Sequence, residues 1–416
     1  MKATILSIGD ELLIGQTLNT NVHWISQKMN EIGVDVIHHI SLSDDKTDII
    51  NCLDNALSTS QVVLITGGLG PTSDDITKDV LNDYFGGKLI YNEEAFHNIE
   101  TIYKLRKRDI TEDARTMCLV PDNCIVIQNS FGTAPGMLFK KENNVIVSMP
   151  GVPYEMKAMI EKVVIPYLKE NFTLPVIIHC NILTAGVGET VLSERLKEFE
   201  KNKDPQIKLA YLPNVGKVRL RLTTKGEDKS ALEKIISHAK EEVVQAIGEF
   251  IYGFEDDTLE KNIGDLLVER GLSLGTAESC TGGYMAHLIT SVSGSSAYYK
   301  GSIISYSNEI KKDILNVKPS TLQQFGAVSG ETVREMVAGA LEKLNVDIAI
   351  ATSGVAGPTG GTSEKPVGTV FIGIGSKEKI IIKKLSFTNN RERNIQLSSV
   401  VALVMLRKFL LNRLND

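Results

Sequence analysis

The sequence predicts an α/β protein in three parts: a doubly wound, mainly parallel sheet at the N-terminus, a small α+β module, and a second α/β unit. Three observations predict it. At 416 residues the chain exceeds what one hydrophobic core ordinarily supports. Its early part alternates short apolar runs with amphipathic stretches, and its texture changes near residues 172 and 258.

Apolar runs predict strands over 3–8, 34–40 and 62–66, and apolar spacing predicts helices over 21–32 and 48–57. Apolar strands separated by helices imply a parallel sheet covered on both faces, with ligands at the carboxyl ends of its strands. Those ends carry Asp10-Glu11, Ser43-Asp44-Asp45 and the loop from Thr66 through Gly67, Gly68, Gly70 and Thr72 to Asp74-Asp75. This first domain is expected over 1–171. Over 172–252, extended runs at 176–184 and 217–224 accompany helical runs at 190–199 and 229–247, a module within the usual domain size range. The acidic stretch Glu255-Asp256-Asp257 marks the next boundary. A last domain is expected over 258–416, with strands near 273–276, 302–306, 347–352 and 369–374.

Hydrophobic residues make up 42% and charged residues 23%, which is ordinary globular composition. No apolar run suits a signal peptide or a membrane span, and the five cysteines include no C-x-x-C pair, so a reducing cytoplasm is the expected location. The net charge of -6 disfavours direct nucleic-acid binding, which rests on clustered Lys and Arg. The seven histidines lack metal-ligand spacing, and His38-His39 would point to opposite faces of a strand.

Three loops of the last domain carry chemistry. Ala277-Glu278-Ser279-Cys280-Thr281-Gly282-Gly283 lies between a strand and a helix, so its amides can face an anion at a helix N-terminus and Ser279 can attack. In Tyr306-Ser307-Asn308-Glu309-Ile310-Lys311, Ser307 resembles an N-cap that turns Lys311 inward. The run from Ser353-Gly354 through Gly357 to Gly361 permits close backbone approach to a ligand. A serine hydroxyl needs an adjacent base, and a lysine kept neutral by burial can serve, with Tyr306 as relay and the amides after Ser279 as an oxyanion hole. Cys280 is the rival nucleophile, since thiols are more reactive and a helix N-terminus lowers their pKa. The bland alternative is that the serine caps a helix and the lysine is a surface group.

In the first domain the glycines suit a phosphate, while Asp10, Glu11, Asp44, Asp45, Asp74 and Asp75 offer hard oxygen ligands to a divalent cation such as Mg²⁺ or Co²⁺. The bland alternative is that these residues form turns and caps.

The strings Ala-Glu-Ser-Cys-Thr-Gly-Gly, Tyr-Ser-Asn-Glu-Ile-Lys, Gly-Ala-Val-Ser, Ser-Gly-Val-Ala-Gly-Pro and Glu-Lys-Pro-Val-Gly-Thr-Val, in this order, resemble the nicotinamide mononucleotide deamidase domain of the competence/damage-inducible CinA family. The resemblance implies Ser279 as nucleophile, Lys311 as base, Tyr306 as helper and Arg391 as a ligand-binding cation, with no cofactor for deamidation. Glu278, Cys280, Thr281, Gly282, Gly283, Ser353, Gly354 and Gly357 are the accompanying substrate-binding candidates. The arginine usually follows Gly-Asp in the family, whereas Asn389-Asn390 precede it here.

Ser7-Ile8-Gly9-Asp10-Glu11-Leu12-Leu13-Ile14-Gly15, Thr66-Gly67-Gly68-Leu69-Gly70-Pro71-Thr72, Gly132-Thr133-Ala134-Pro135-Gly136 and Met149-Pro150-Gly151-Val152-Pro153 resemble the family's first domain, which has the MoaB/MogA fold. This implies divalent-metal-dependent ADP-ribose pyrophosphatase activity, with Gly67, Gly68, Gly70, Thr72 and Thr133 at the substrate and Asp10, Glu11, Asp44, Asp74 and Asp75 at the metal. Molybdopterin binding is the fold-level alternative. The family's middle segment is KH-like, but Gly186-Val187-Gly188-Glu189 lacks the G-x-x-G clamp, so a spacer or dimerisation role is expected rather than RNA binding. The whole chain then reads as a bifunctional enzyme of pyridine-nucleotide salvage and, by default, a homodimer. The competing reading is a partner of DNA-uptake or recombination proteins.

Overall fold

The computed structural model describes residues 1–105, 107 and 109–414. The chain forms two compact units, Met1–Ile178 with Lys225–Leu232, and His179–Thr224 with the residues from Glu233 onward.

In the first unit, β1 (Lys2–Ile8), β2 (Asp35–Leu42) and β3 (Val62–Thr66) are joined through helices α1 (Thr20–Glu31) and α2 (Lys46–Thr59), and helix α3 (Thr77–Phe85) follows β3. A small hairpin-like pair, β4 (Leu89–Tyr91) and β5 (Leu119–Pro121), stands apart from the main sheet. With β6 (Ile125–Ile127), β7 (Gly136–Lys141) and β8 (Asn144–Met149), the main sheet runs β2-β1-β3-β8-β7-β6. β2, β1, β3 and β8 are parallel, and β7 and β6 close that edge antiparallel. Side chains alternate cleanly along β3: Val62 and Leu64 enter one core, Val63 and Ile65 the other. That alternation explains a strand apolar throughout, since both faces are covered.

The middle module is a four-stranded sheet ordered β10-β11-β9-β12, from β9 (Val176–Ala185), β10 (Lys208–Asn214), β11 (Lys217–Gly226) and β12 (Ile251–Phe254), with helices α4 (Glu189–Asn202) and α5 (Lys229–Ile247). β11 shows half-buried alternation, with Val218, Leu220 and Leu222 inward.

The last domain opens with helix α6 (Leu259–Glu269) and β13 (Leu274–Glu278), followed by helix α7 (Tyr284–Thr290), β14 (Tyr299–Ile304) and helix α8 (Asn308–Asp313). Helix α9 (Gly330–Lys343), β15 (Ile348–Gly354), β16 (Thr369–Gly375), β17 (Ile380–Ser386) and helix α10 (Arg391–Leu410) complete it. The sheet order is β14-β13-β15-β16-β17, with β14, β13 and β15 parallel and the last two strands antiparallel. Ile348 and Ile350 of β15 pack on the core that holds α10, and Ala349 and Ala351 on the core that holds α9. Leu183, Ala185 and Tyr252 of the middle module belong to the same core as α10, so module and last domain share apolar contacts. The strand predicted over 302–306 ends at Ile304, which frees Ser305 and Tyr306 for the loop beyond it.

Gly339 tests the close approach of α9 to the chain before it. A Cβ there would sit 2.0 Å from the Leu315 carbonyl oxygen. Alanine gains about 1 kcal/mol over glycine inside a helix, but overpacking against backbone costs about 1–3 kcal/mol. Gly339→Ala is therefore expected to lower the melting temperature of this unit by several degrees; an unchanged or higher value would contradict the contact.

Candidate active site

The C-terminal site forms where β13, β14 and β15 end. β13 delivers Ser279, which is held by its own amide donating to the Thr352 carbonyl at 3.0 Å. Ser307 caps α8 by accepting from the Ile310 amide, as its sequence position suggests, and one turn later Lys311 points inward. The Lys311 side chain is 1% exposed, and its Nζ lies 2.9 Å from Ser279 Oγ. Nζ also donates to the carbonyls of Ser305 at 2.6 Å and Tyr306 at 3.4 Å. Among the described residues no carboxylate lies within ion-pair distance of it. Burial pushes the Lys311 amine below the ordinary lysine range.

Glu278 takes a different part from the one expected. Its fully buried carboxylate accepts from the amides of Gly283, Met285 and Ala286 at 2.8–3.1 Å. The start of α7 is thus closed by the protein's own carboxylate, and the expected anion site on those amides is not available. The Gly282 amide donates to the Ser279 carbonyl and the Tyr284 amide to that of Thr281. Among the described residues this leaves the amides of Cys280 and Thr281 without a backbone partner in the loop. Gly282 and Gly283 have φ of 59° and 98°, conformations that let the loop turn so tightly.

Cys280 is also corrected. Its side chain joins the apolar core, and burial pushes its thiol up to about 12. It lacks the thiolate character of a nucleophile. Thr281 faces Thr352, hydroxyl to hydroxyl at 2.8 Å, and Ser353 Oγ donates to the Ala327 carbonyl at 2.7 Å. Gly354 ends β15 against Val370.

Tyr306 is 63% exposed and its phenol is not among the Lys311 partners; it accepts from Arg391 at 3.1 Å. Only its carbonyl touches the amine. Arg391, the first residue of α10, also donates to the Gly357 carbonyl at 2.9 Å. Sequence reasoning missed Asn394, which is 1% exposed and donates to the carbonyls of Ala356 and Thr388, tying together the two loops beside Arg391. Its only signal is an amide one turn into an otherwise apolar helix face. Ser305 was missed as well, since its contribution is a backbone carbonyl.

In the first unit a cavity of about 390 Å³ opens at the carboxyl ends of the parallel strands. Glu11, Asp44, Gly67, Gly68, Gly70, Asp74, Asp75 and Thr133 line it, together with Glu155. Gly67 and Gly68 are required there, because a Cβ would meet the Ile8 carbonyl and Thr77 Oγ1, each at 2.1 Å. Asp10 contributes its backbone amide, which donates to Asp44 at 3.3 Å. Thr72 and Asp75 brace the loop: the Thr72 amide and hydroxyl both donate to the Asp75 carboxylate. Asp45 caps α2. Burial raises the Asp44 carboxyl, and the charges of Asp10, Glu11 and Asp74 add to this, while the Asp10 amide opposes it. Among the described residues no group of three His, Cys, Asp or Glu side chains is arranged to hold a metal ion. The hard oxygen donors suit Mg²⁺ or Co²⁺ only as a cation that arrives with a phosphate ligand, not as a resident of a protein cage. Glu155, 8% exposed, accepts from Asn129 Nδ2 at 2.7 Å and was missed as a site residue, although its motif was read.

The fold and these sites define a three-part α/β protein: a MoaB/MogA-like domain, a KH-like module, and a C-terminal α/β domain with a buried serine-lysine pair. Family models match in the same order, a probable molybdopterin binding domain over 4–170, the damage-inducible protein CinA KH domain over 179–253, and the CinA C-terminal domain over 256–410. A CinA-like protein of Flavobacterium psychrophilum is 46% identical over 99% of both chains. One of Cytophaga hutchinsonii is 43% identical over 98% of this chain and 97% of its own. The crystal structure of the competence/damage inducible protein CihA from Agrobacterium tumefaciens is 36% identical, covering 36% of this chain and 92% of that one, with a TM-score of 0.35. The chain belongs to the CinA family. Among the described residues no helix is long and apolar enough to cross a membrane.

A lysine whose pKa falls on folding leaves a signature in stability. Between its lowered folded value and the ordinary 10.5, the unfolded chain binds the extra proton, so stability rises with pH across that window. Lys311→Met is expected to flatten this rise and to stabilise the unit near neutral pH. Denaturant midpoints of both proteins from pH 6 to 10 check it; parallel curves would refute a depressed pKa.

Proposed function

We propose that the C-terminal site hydrolyses the carboxamide of nicotinamide mononucleotide, giving nicotinate mononucleotide and ammonia. The observation that carries this reading is the 2.9 Å contact between Ser279 Oγ and a buried Lys311 amine with no ion-pair partner among the described residues. The carbonyls of Ser305 and Tyr306 accept only, so they take two N–H groups of a neutral amine and leave its lone pair for the serine proton.

Ser279 Oγ attacks the carboxamide carbon as its proton passes to Lys311 Nζ. The oxygen that becomes negative is met by the free amides of Cys280 and Thr281. Lys311 then returns the proton to the departing nitrogen, the C–N bond breaks, ammonia leaves and an ester on Ser279 remains. Water attacks that ester while giving a proton to Lys311, the ester bond breaks, and Lys311 restores the serine hydroxyl as nicotinate mononucleotide is released. The Arg391 guanidinium, anchored on Gly357 and Tyr306, is the cation for the monophosphate. The motif resemblance to the family's deamidase domain supports the substrate.

Ser279→Ala and Lys311→Met are each expected to lower ammonia release by about 10³-fold or more, with Cys280→Ala retaining most of it. The wild-type rate is expected to rise with pH through the lowered pKa of Lys311. Equal losses in Ser279→Ala and Cys280→Ala, or a flat profile from pH 5 to 9, would overturn the assignment.

A second activity is favoured by the cavity of the first unit: cleavage of the pyrophosphate of ADP-ribose to AMP and ribose 5-phosphate. The observation behind it is the cavity lined by Glu11, Asp44 and Asp74 beside the backbone at Gly67 and Gly68, where burial, and to a smaller extent the neighbouring carboxylates, raises Asp44. A divalent cation entering on the substrate's phosphates would find a ligand in Asp44 and the charges of Glu11 and Asp74 nearby, and would neutralise phosphate charge. Molybdopterin binding is the competing occupant. With ADP-ribose and Mg²⁺ or Co²⁺, wild type and Ser279→Ala are expected to form AMP equally, and Asp44→Asn to lose at least tenfold. Tight pterin binding without turnover would replace this reading.

A further inference from the structure

A groove of about 490 Å³ lies within the second unit, remote in chain position from the serine-lysine pair. One wall is the face of α10 carrying Val401, Val404, Met405 and Lys408, spaced as i, i+3, i+4 and i+7. The second is β17, where Lys383 and Leu385 alternate onto the same side. The loops around Gly186 and Gly216 close it. Both glycines pack directly on α10: a Cβ at Gly186 would be 2.7 Å from Val404 Cγ1, and one at Gly216 2.7 Å from Val400 Cγ1. The module's glycine loop is thereby committed to packing on its own chain, which removes it as a nucleic-acid clamp.

The chemistry of the walls is specific. They are mainly aliphatic; the partly buried residues Lys383 and Lys408 have no ion-pair partner among the described residues, whereas Lys217 beside them is paired with Glu260 at 2.9 Å, and the one carboxylate of the lining, Glu189, is exposed. Ammonium groups carried at the rim of an apolar surface favour an anion whose apolar body covers that surface. The volume falls in the range of small-molecule sites. The geometry points to a binding site for a small amphipathic anion, a single carboxylate or phosphate head between Lys383 and Lys408 with an aliphatic body against Val401, Met405 and Leu385. This site is independent of the deamidase reading.

Calorimetric titration of the full chain with decanoate, decyl phosphate and uncharged decanol tests it. At least one anion is expected to bind with one-to-one stoichiometry and at least tenfold more tightly than decanol. Decanoate alone would assign a carboxylate head, decyl phosphate alone a phosphate. The Lys383→Ala/Lys408→Ala double variant is expected to weaken binding at least tenfold, and Leu385→Trp, which fills the groove while keeping both cations, to abolish it. Ser279→Ala is expected to bind as wild type does. Absence of binding by both anions, equal binding of decanol, or undiminished binding in a folded variant of either kind would overturn the proposal.

Discussion

An ammonium group taken out of water with no carboxylate beside it is costly to hold, and this constraint acts at Lys311 in the C-terminal domain. Lys311 is buried, faces two carbonyls and one hydroxyl, and carries a pKa below its ordinary range. Glu278 could have supplied the missing charge, being the residue just before Ser279. Its carboxylate is instead consumed by three amides of the next helix. A carboxylate so engaged lends charge to the helix dipole and not to the lysine. Breaking that engagement would leave a buried carboxylate short of donors and disturb the shape of the loop.

The same bonds decide which atoms of the loop remain available. Ser279 is tied through its amide, Thr281 through its hydroxyl, and the amides of Gly282, Gly283 and Tyr284 are spent internally. What is left is the serine hydroxyl with the two amides that follow it, a geometry held by the strand below and not by the ligand. Preorganisation of this kind means that little needs to be reordered when charge develops on a bound carbonyl. Asn394 extends the principle across the site, donating to the Ala356 and Thr388 carbonyls and accepting from the Thr388 amide and hydroxyl.

Much of this was legible in the sequence because it depends on local pattern. Strand β3 and helix α5 fall where the apolar runs place them, and Ser307 caps α8 as its spacing to Lys311 suggests. The inward turn of Lys311 follows from that cap. The roles of Glu278, Tyr306 and Cys280 did not, for a shared reason: each depends on which way a side chain leaves a loop, and a string of residue types does not encode direction there. Cys280 enters the core and Tyr306 leaves it. In the first domain the carboxylates similarly divide into Asp44 and Asp74, at the cavity, Asp75, which lines it while holding the Thr72 backbone, and Asp45, which caps a helix.

The glycine loops carry this point furthest. Gly67 and Gly68 line a cavity, and the Ile8 carbonyl and Thr77 leave no room for a Cβ at either. Gly186 and Gly216 also leave no room, but their neighbours are Val404 and Val400 on a helix of the same unit. There the missing side chain admits a helix. Identical residue types thus border an open cavity in one place and a packed helix in the other. Where cohesion wins, the module's glycine loops pack along α10, and the groove bearing Lys383 and Lys408 lies beside that contact.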